Sequence, residues 1–410
     1  MERIETDILV AGGGVAGLAA TAAFAAAGFR VACVDPAPPP AEITDPRSDL
    51  RSTAFLMPSV RLLEEAGLWR GLAPHAAPLR IMRIADAGGP EPEVRETADF
   101  IAQELGHPVF GYNLPNWLLR REMLATLESV PGAHVRLGAS VTHLTPRTRE
   151  AIARLSDGTQ IRARLVVAAD GRDSALRDMA GITARRWGYG QKAMVFAVSH
   201  EMPHEGISTE VHRSGGPFTL VPLPDRDGQP HSAVVWMEHG PRAAELAAME
   251  TAAFEEALNT RACGVLGRLT LASPRRTWPI ISQVARRLDG SRLALIAEAA
   301  HVIPPIGAQG LNMSLKDIAV LRDLCTDALR TGQDIGSPER LRRYHWKREP
   351  DILARVAGVD TLNRAAMENL QSFRDLRLRG LRAIHGIQPI RRTAMQLGLG
   401  MGRQPAPAEE

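Results

Sequence analysis

A triple glycine in a strand–turn–helix frame constrains this chain more than any other feature. Residues 6–10 form a short apolar run suited to a buried strand. Gly12-Gly13-Gly14-Val15-Ala16-Gly17 satisfies G-x-G-x-x-G, an Ala-rich helix follows over 15–27, Gly28 stops it, and residues 30–34 read as a second strand. Each glycine has its own reason in such a β-α-β unit. Gly12 permits the turn, Gly14 lets a pyrophosphate approach the backbone, and Gly17 lets helix and strand pack closely. Asp35 closes the second strand, where a carboxylate accepts from a ribose diol and disfavours a 2′-phosphate. The pattern indicates a dinucleotide and does not by itself separate a flavin from a nicotinamide.

A second stretch, residues 297–317 (AEAAHVIPPIGAQGLNMSLKD), narrows the choice. Residues 293–296 read as a buried strand closed by Glu298. Pro304 and Pro305 forbid helix, Gly307 and Gly310 allow unusual backbone, and a helix is expected from about Leu311, with Leu315, Ile318, Leu321 and Cys325 at helical spacing. Such a turn aims free N–H groups and the positive end of a helix at one point, which suits an electron-rich ring or an oxyanion. Two further elements accompany it: an apolar strand ending at Asp170-Gly171-Arg172-Asp173-Ser174 with Arg177 downstream, and an early arginine in Asp49-Leu50-Arg51-Ser52-Thr53-Ala54. A nicotinamide dehydrogenase needs no second acid-tipped strand late in the chain. A flavin dinucleotide does, because its ribitol and ring extend well past the pyrophosphate.

With 410 residues the chain is long enough for two domains. It is 45% apolar and 23% charged, as soluble globular proteins are, and a net charge of +3 argues against nucleic acid. Cys33, Cys263 and Cys325 are dispersed, with no metal or disulfide spacing, which fits a reducing, cytoplasmic compartment. No signal peptide is visible, and no run of about 18 apolar residues that could span a membrane. Residues 1–185 read as the first part of a nucleotide domain, 186–285 as an inserted sheet domain, 286–330 as the return, 331–403 as C-terminal helices and 404–410 as a disordered tail. Residues 62–69, 117–129 and 243–258 read as helices.

In this order and spacing the three elements resemble the group A flavoprotein monooxygenases, the p-hydroxybenzoate hydroxylase superfamily, and within it the ubiquinone-biosynthesis hydroxylases. The likeness is strengthened by residues 51–68 (RSTAFLMPSVRLLEEAGL), 110–127 (FGYNLPNWLLRREMLATL), 216–222 (GPFTLVP) and 344–351 (YHWKREPD), and spans essentially the whole chain. It implies an α/β fold: a Rossmann-type FAD-binding domain, an inserted β-sheet substrate domain and a helical C-terminal region. It implies that Gly12, Gly14, Val15, Ala16, Gly17 and Asp35 bind the ADP half of FAD, with Val141 near the adenine. Arg51 and Arg120 would contact the phosphates and flavin region, and Asp170 would serve FAD and nicotinamide handling. Glu298 would bind the ribitol, and Pro305, Gly307, Ala308, Gln309, Gly310, Leu311 and Asn312 would cradle the pyrimidine end of the flavin.

The chain departs from the family pattern in two places. Ala297-Glu298 stands where the family writes Gly-Asp, and Gly307-Ala308 stands where it writes Ala-Gly. His301 is expected to brace the turn. No catalytic base, Ser-His-Asp arrangement or metal cluster is legible.

The resemblance implies hydroxylation of a polyprenylated phenol or quinol through a flavin hydroperoxide, with O₂ as co-substrate and NAD(P)H or another donor. The prenyl tail would need an apolar channel, with Phe196, Phe218, Leu220, Val221, Leu223 and Trp236 as candidate linings. Other ubiquinone-biosynthesis proteins are expected partners. Residues 339–403 hold 14 Arg/Lys against 6 Asp/Glu, and Leu376, Leu378, Leu381, Ile384 and Ile387 supply apolar surface there, a composition suited to peripheral contact with an anionic membrane. Rival readings are another aromatic hydroxylase, a prenyl-lipid reductase, and a flavin-poor scaffold of a biosynthetic complex. The sequence fixes neither the ring position nor the electron donor nor the oligomeric state.

Overall fold

The computed structural model describes residues 2–40, 42–213, 215–367 and 371–399. β1 (Arg3–Ala11) feeds α1 (Val15–Ala26) and returns as β2 (Val31–Asp35). β3 (Ser52–Leu56) joins Gly111–Pro115 and Ala77–Leu79 in a small antiparallel sheet, followed by α2 (Asn116–Leu127). β4 (Gln160–Ala168) then pairs parallel with β1, so that β1 lies between β2 and β4.

A second sheet of nine strands is built on β5 (Ala184–His200), β6 (Pro217–Arg226), β7 (Gln229–His239) and β8 (Arg276–Ala285), backed by α3 (Thr251–Ala262). The chain then re-enters the first sheet as β9 (Leu293–Leu295), parallel to β4. Four longer helices follow among the described residues: α4 (Gln309–Arg330), α5 (Pro338–Met367), α6 (Gln371–Gly386) and α7 (Gln388–Leu399).

The register of the first sheet positions the site. Ala11 pairs with Val34 on one side and Ala168 on the other, and Ala168 pairs with Leu295. The parallel strands therefore all end on one edge. That edge carries residues 12–17, Asp35, Asp170 and Glu298, segments far apart in sequence. Continuous burial of Ile8–Ala11, Val31–Val34, Leu165–Ala168 and Leu293–Leu295 is what a parallel sheet covered on both faces demands.

Three boundaries differ from the sequence reading. Ile81–Asp86 joins the second sheet by parallel pairing with Ile207–His212, a long-range match that no local pattern announces, and Glu96–Ile101 adds to it antiparallel on Ile81–Asp86. The helix expected over 243–258 is two helices, Gly240–Ala248 and Thr251–Ala262, because Met249 and Glu250 are extended. Glu298 does not end a strand but lies in a short helical turn, Ala297–Ala300. The expected tail, 404–410, lies outside the described residues, as does the side chain of Leu376.

Strand alternation sorts the second sheet into two faces. Met194, Phe196, Val198, Phe218, Leu220, Val234 and Trp236 pack on Phe254 and Leu258 of α3. Edge-to-face rings lock this layer: Phe196–Phe254 at 5.2 Å and Phe218–Trp236 at 5.7 Å. On the opposite face, Ala193, Met237 and Ile280 pack with Ile306 of the proline-glycine turn and Val359 of α5. Phe196, Phe218, Leu220 and Trp236 are therefore core and line no channel. Val221 alternates onto the other face, with Thr219 opposite Val235.

Candidate functional site

The three motif glycines have distinct environments. A Cβ on Gly12 would lie 2.2 Å from the Ala169 carbonyl oxygen, and one on Gly17 would lie 1.8 Å from the Gly12 carbonyl oxygen. Those two are demanded by the fold. A Cβ on Gly14 would meet nothing within 4 Å, and Gly14 sits at φ −71°, which any residue adopts. Its bareness has no explanation within the protein. α1 begins there with no side-chain cap and no acid in its first turn, which holds Val15, Ala16 and Gly17, so its N–H groups suit an anion.

Asp35 accepts from the Gly13 N–H at 2.6 Å and the Ala37 N–H at 2.9 Å. The chain passes Asp35 again at Gly138, whose N–H donates to its carbonyl, and enters the Val141–Pro146 strand with Val141 buried. Arg120, from α2, donates to the Gly13 carbonyl at 2.8 Å and reaches the Asp35 carboxylate at 3.4 Å. It braces the glycine turn from behind. Asp170 is likewise occupied: Ser174 Oγ donates to one oxygen at 2.5 Å and the Leu176 N–H to the other at 3.1 Å. Its role in this geometry is to order the turn before Ala175–Met179.

Glu298 lies between two arginines, with Arg172 Nε at 3.2 Å and an Arg51 terminal nitrogen at 3.8 Å. Arg51 also pairs with Asp49 at 2.7 Å and stacks 5.1 Å from the Trp278 ring centre. Burial pushes the Asp49 carboxyl up, but Arg51 and Asn116 outweigh it and hold it below the usual carboxylate range. The site thus presents two guanidiniums and a half-exposed carboxylate beyond the strand edge.

Ala297 and Ala308 both adopt φ +55°, the left-handed region that favours glycine, and both stand where the family writes glycine. The backbone has kept the glycine conformation after the side chain changed. Pro305 is exposed, and Gly307 at φ +64° turns the chain into α4, which begins at Gln309, two residues before the expected Leu311. α4 has no side-chain cap, and a Cβ on Gly310 would meet nothing within 4 Å. Gln309 is tied to Arg355 of α5. Asn312 donates to the Ala54 carbonyl at 2.8 Å and accepts from the Leu56 N–H at 2.9 Å, docking α4 on β3; its neighbour Leu311 is half-buried.

The sequence reading overlooked the support under this turn. Asp317 is fully buried and accepts from the Ala297 N–H at 3.1 Å, His301 Nε2 at 2.7 Å and Arg348 Nε at 2.8 Å. Burial alone would raise its carboxyl; His301 and Arg348 more than offset that and leave it lowered. His301 is thus a brace, as expected. Arg172, Trp278 and Arg348 were also missed. Arg172 and Arg348 lie inside quoted motifs, and their partners are 126 and 31 residues away. Burial pushes the Cys33 and Cys325 thiols up to about 12, so neither is a nucleophile. Among the described residues no group of His, Cys, Asp and Glu could hold a metal.

Two uncapped helix ends, each beside a bare glycine, with acids at Asp35 and Glu298 between them, fit an extended flavin dinucleotide. Comparison with known proteins agrees. A family model described as the FAD binding domain matches residues 5–357. The chain is 34% identical over 394 residues to a ubiquinone hydroxylase, UbiL, of Rhodospirillum rubrum, covering 96% of this chain and 89% of that protein. It is 30% identical over 403 residues to the 3-demethoxyubiquinol 3-hydroxylase of Escherichia coli, covering 98% and 100%. In fold it resembles p-nitrophenol 4-monooxygenase PnpA from Pseudomonas putida, with TM-score 0.78 and 19% identity over 99% of this chain and 100% of that one.

Proposed function

This chain belongs to the FAD binding domain family and is an FAD-dependent monooxygenase, and from that premise we propose that it hydroxylates the aromatic ring of a polyprenylated phenol or quinol in ubiquinone biosynthesis. The observation that carries the reading is the shared edge on which Gly14, Asp35, Glu298 and the start of α4 meet, opposite an apolar sheet face. Bound FAD, reduced by an external donor, supplies the electrons that activate O₂ for insertion of one oxygen atom.

The protein's own part is binding, orientation and exclusion of water. The N-terminus of α1 with Gly14 would hold the pyrophosphate, and Asp35 would accept from the ribose. Glu298, steadied by Arg172 and Arg51, would accept from the ribitol hydroxyls. The uncapped N–H groups of Gly310 and Leu311 favour negative charge at the pyrimidine end. Val221, Val235 and Thr219, half-buried on the face toward Ile306, are the linings we assign to the substrate ring and tail.

Purified holoprotein supplied with a short-chain prenylphenol and a reductant tests the reading. Conversion that requires both flavin and O₂ supports it. Anaerobic turnover favours the reductase alternative, and colourless protein that no FAD restores favours the scaffold. No described helix is long and apolar enough to cross a membrane. A polyprenyl substrate nevertheless resides in a bilayer, so the reading includes peripheral contact with its surface.

A further inference from the structure

α5 carries a face that the other described residues leave uncovered. Its inner side is buried through Tyr344, Arg348, Ile352, Val356 and Val359. Its outer side opens with Arg342, Arg343 and Lys347, all exposed, around Trp346, which is 63% exposed. With Glu339 these four border an open groove of about 410 Å³. The acids next along the helix turn inward: Glu349 toward His345 at 3.6 Å, and Asp351 onto Arg348 at 2.7 Å. Among the described residues none of the three cations has a carboxylate partner within ion-pair distance. Beyond Trp346 the same face continues through Pro350, Leu353 and Ala357, all exposed, with Leu353 at 47% exposure. Trp346 and Leu353 are about 10 Å apart along the axis.

We propose that this face of α5 docks on an anionic bilayer surface. Arg342, Arg343 and Lys347 meet headgroup phosphates, and Trp346 and Leu353 enter the interface. Three features select that occupant. Unpaired cations at one end are attracted to anionic lipid. Tryptophan, apolar in body with one polar edge, settles at headgroup depth. Apolar residues spread along the helix let it lie flat in the interface instead of inserting end-on. A neutral apolar protein partner would leave the three cations unanswered, and a second copy stacked in parallel would set them against their like. The purpose of the docking rests on the lipid-substrate reading above; its geometry does not.

The test uses holoprotein with vesicles of phosphatidylcholine alone or with phosphatidylglycerol added, read by co-sedimentation and by Trp emission. Binding at least about ten-fold tighter to the anionic vesicles is expected, weakening with salt, since each cation near such a surface adds roughly a five-fold factor. R342E/R343E/K347E removes the preference. Trp346→Ala and Leu353→Ser each weaken binding several-fold, and their melting temperatures stay unchanged because these residues are exposed. Equal binding to both vesicle types, or a preference that survives the triple reversal, overturns the proposal. So does a dimer in sedimentation that the triple reversal dissolves, which would make the face a contact between copies. Hydroxylation of a short-chain substrate in detergent is measured on the same variants and should be retained. If wild-type hydroxylation is absent while anionic vesicles still bind, the proposed function fails and the docking stands.

Discussion

Glu298→Ala is the perturbation that bears most directly on how the flavin is held. The carboxylate is half-exposed, at 39%, and its partners lie at 3.2 and 3.8 Å. Exposed pairs of that kind contribute about 0–1 kcal/mol, so folding should hardly change. A charge-assisted hydrogen bond to a ribitol hydroxyl is worth about 1.5–3 kcal/mol, so FAD dissociation should strengthen by roughly 10- to 150-fold in the variant. Arg172→Gln leaves the carboxylate in place but unsteadied. Ordering a free Glu side chain costs on the order of 1 kcal/mol, so that variant should lose about five-fold in FAD affinity. The assay is titration of apoprotein with FAD, followed by quenching of intrinsic and flavin fluorescence, with Trp278 stacked on Arg51 as a local reporter. In the Glu298→Ala background, Arg172→Gln should change affinity less than about two-fold, because its action runs through that carboxylate. Unchanged FAD affinity in Glu298→Ala would refute the assignment. An Arg172 effect persisting in full would mean that Arg172 touches the ligand itself.

Other variants separate fold from ligand. Gly14→Ala should melt like the parent yet bind FAD at least about ten-fold more weakly, whereas Gly17→Ala should cost about 2 kcal/mol or more in folding, because its Cβ meets a carbonyl oxygen; thermal melts beside FAD titrations distinguish them. Ala308→Gly should be neutral or stabilising by up to about 1 kcal/mol, since the left-handed backbone strains alanine, while Ala308→Val should destabilise; chemical denaturation measures both. His301→Ala should cost about 1–3 kcal/mol by removing one of the two side-chain partners of buried Asp317 while Arg348 stays in place, with turnover per folded, flavin-loaded molecule little changed. Asp351 has its carboxyl held down to about 2; burial opposes this, and Arg348, Arg355 and Lys316 outweigh it. A depressed carboxyl stabilises above its unfolded value of 3.8 and loses that contribution as pH falls toward about 2, so Asp351→Asn should lower stability at neutral pH and flatten the acid limb of the melting curve.

The nucleotide half of this site was legible because its constraints are local. Gly12, Gly14 and Gly17 declare a turn, an open backbone and a close approach within six residues, and each kind of constraint is present at its glycine. The flavin turn was legible for the same reason, although the glycine-like backbone at Ala297 and Ala308 is visible only in the dihedrals. What escaped is long-range. Arg172 meets Glu298 and Arg348 meets Asp317 only after the sheet and α5 are assembled. The aromatic residues assigned to a substrate channel were placed on the wrong face of their strands. Their hydrophobicity marks burial, and only the register against α3 says on which side. Arg120 and Asp170 were read as ligand contacts on type and position; that Arg120 also holds the Gly13 carbonyl and Asp170 also accepts from Ser174 and the Leu176 N–H is visible only in the structure.

The account's central claim is that oxygen from O₂ enters an aromatic ring in the site between residues 12–17, Glu298 and the Val235 face. The most direct measurement is turnover of a short-chain prenylphenol by holoprotein under ¹⁸O₂, with the product read by mass spectrometry. One ¹⁸O atom per product ring, abolished by removing FAD, is the result expected. Product formed without ¹⁸O, or formed equally well without O₂, would contradict the account.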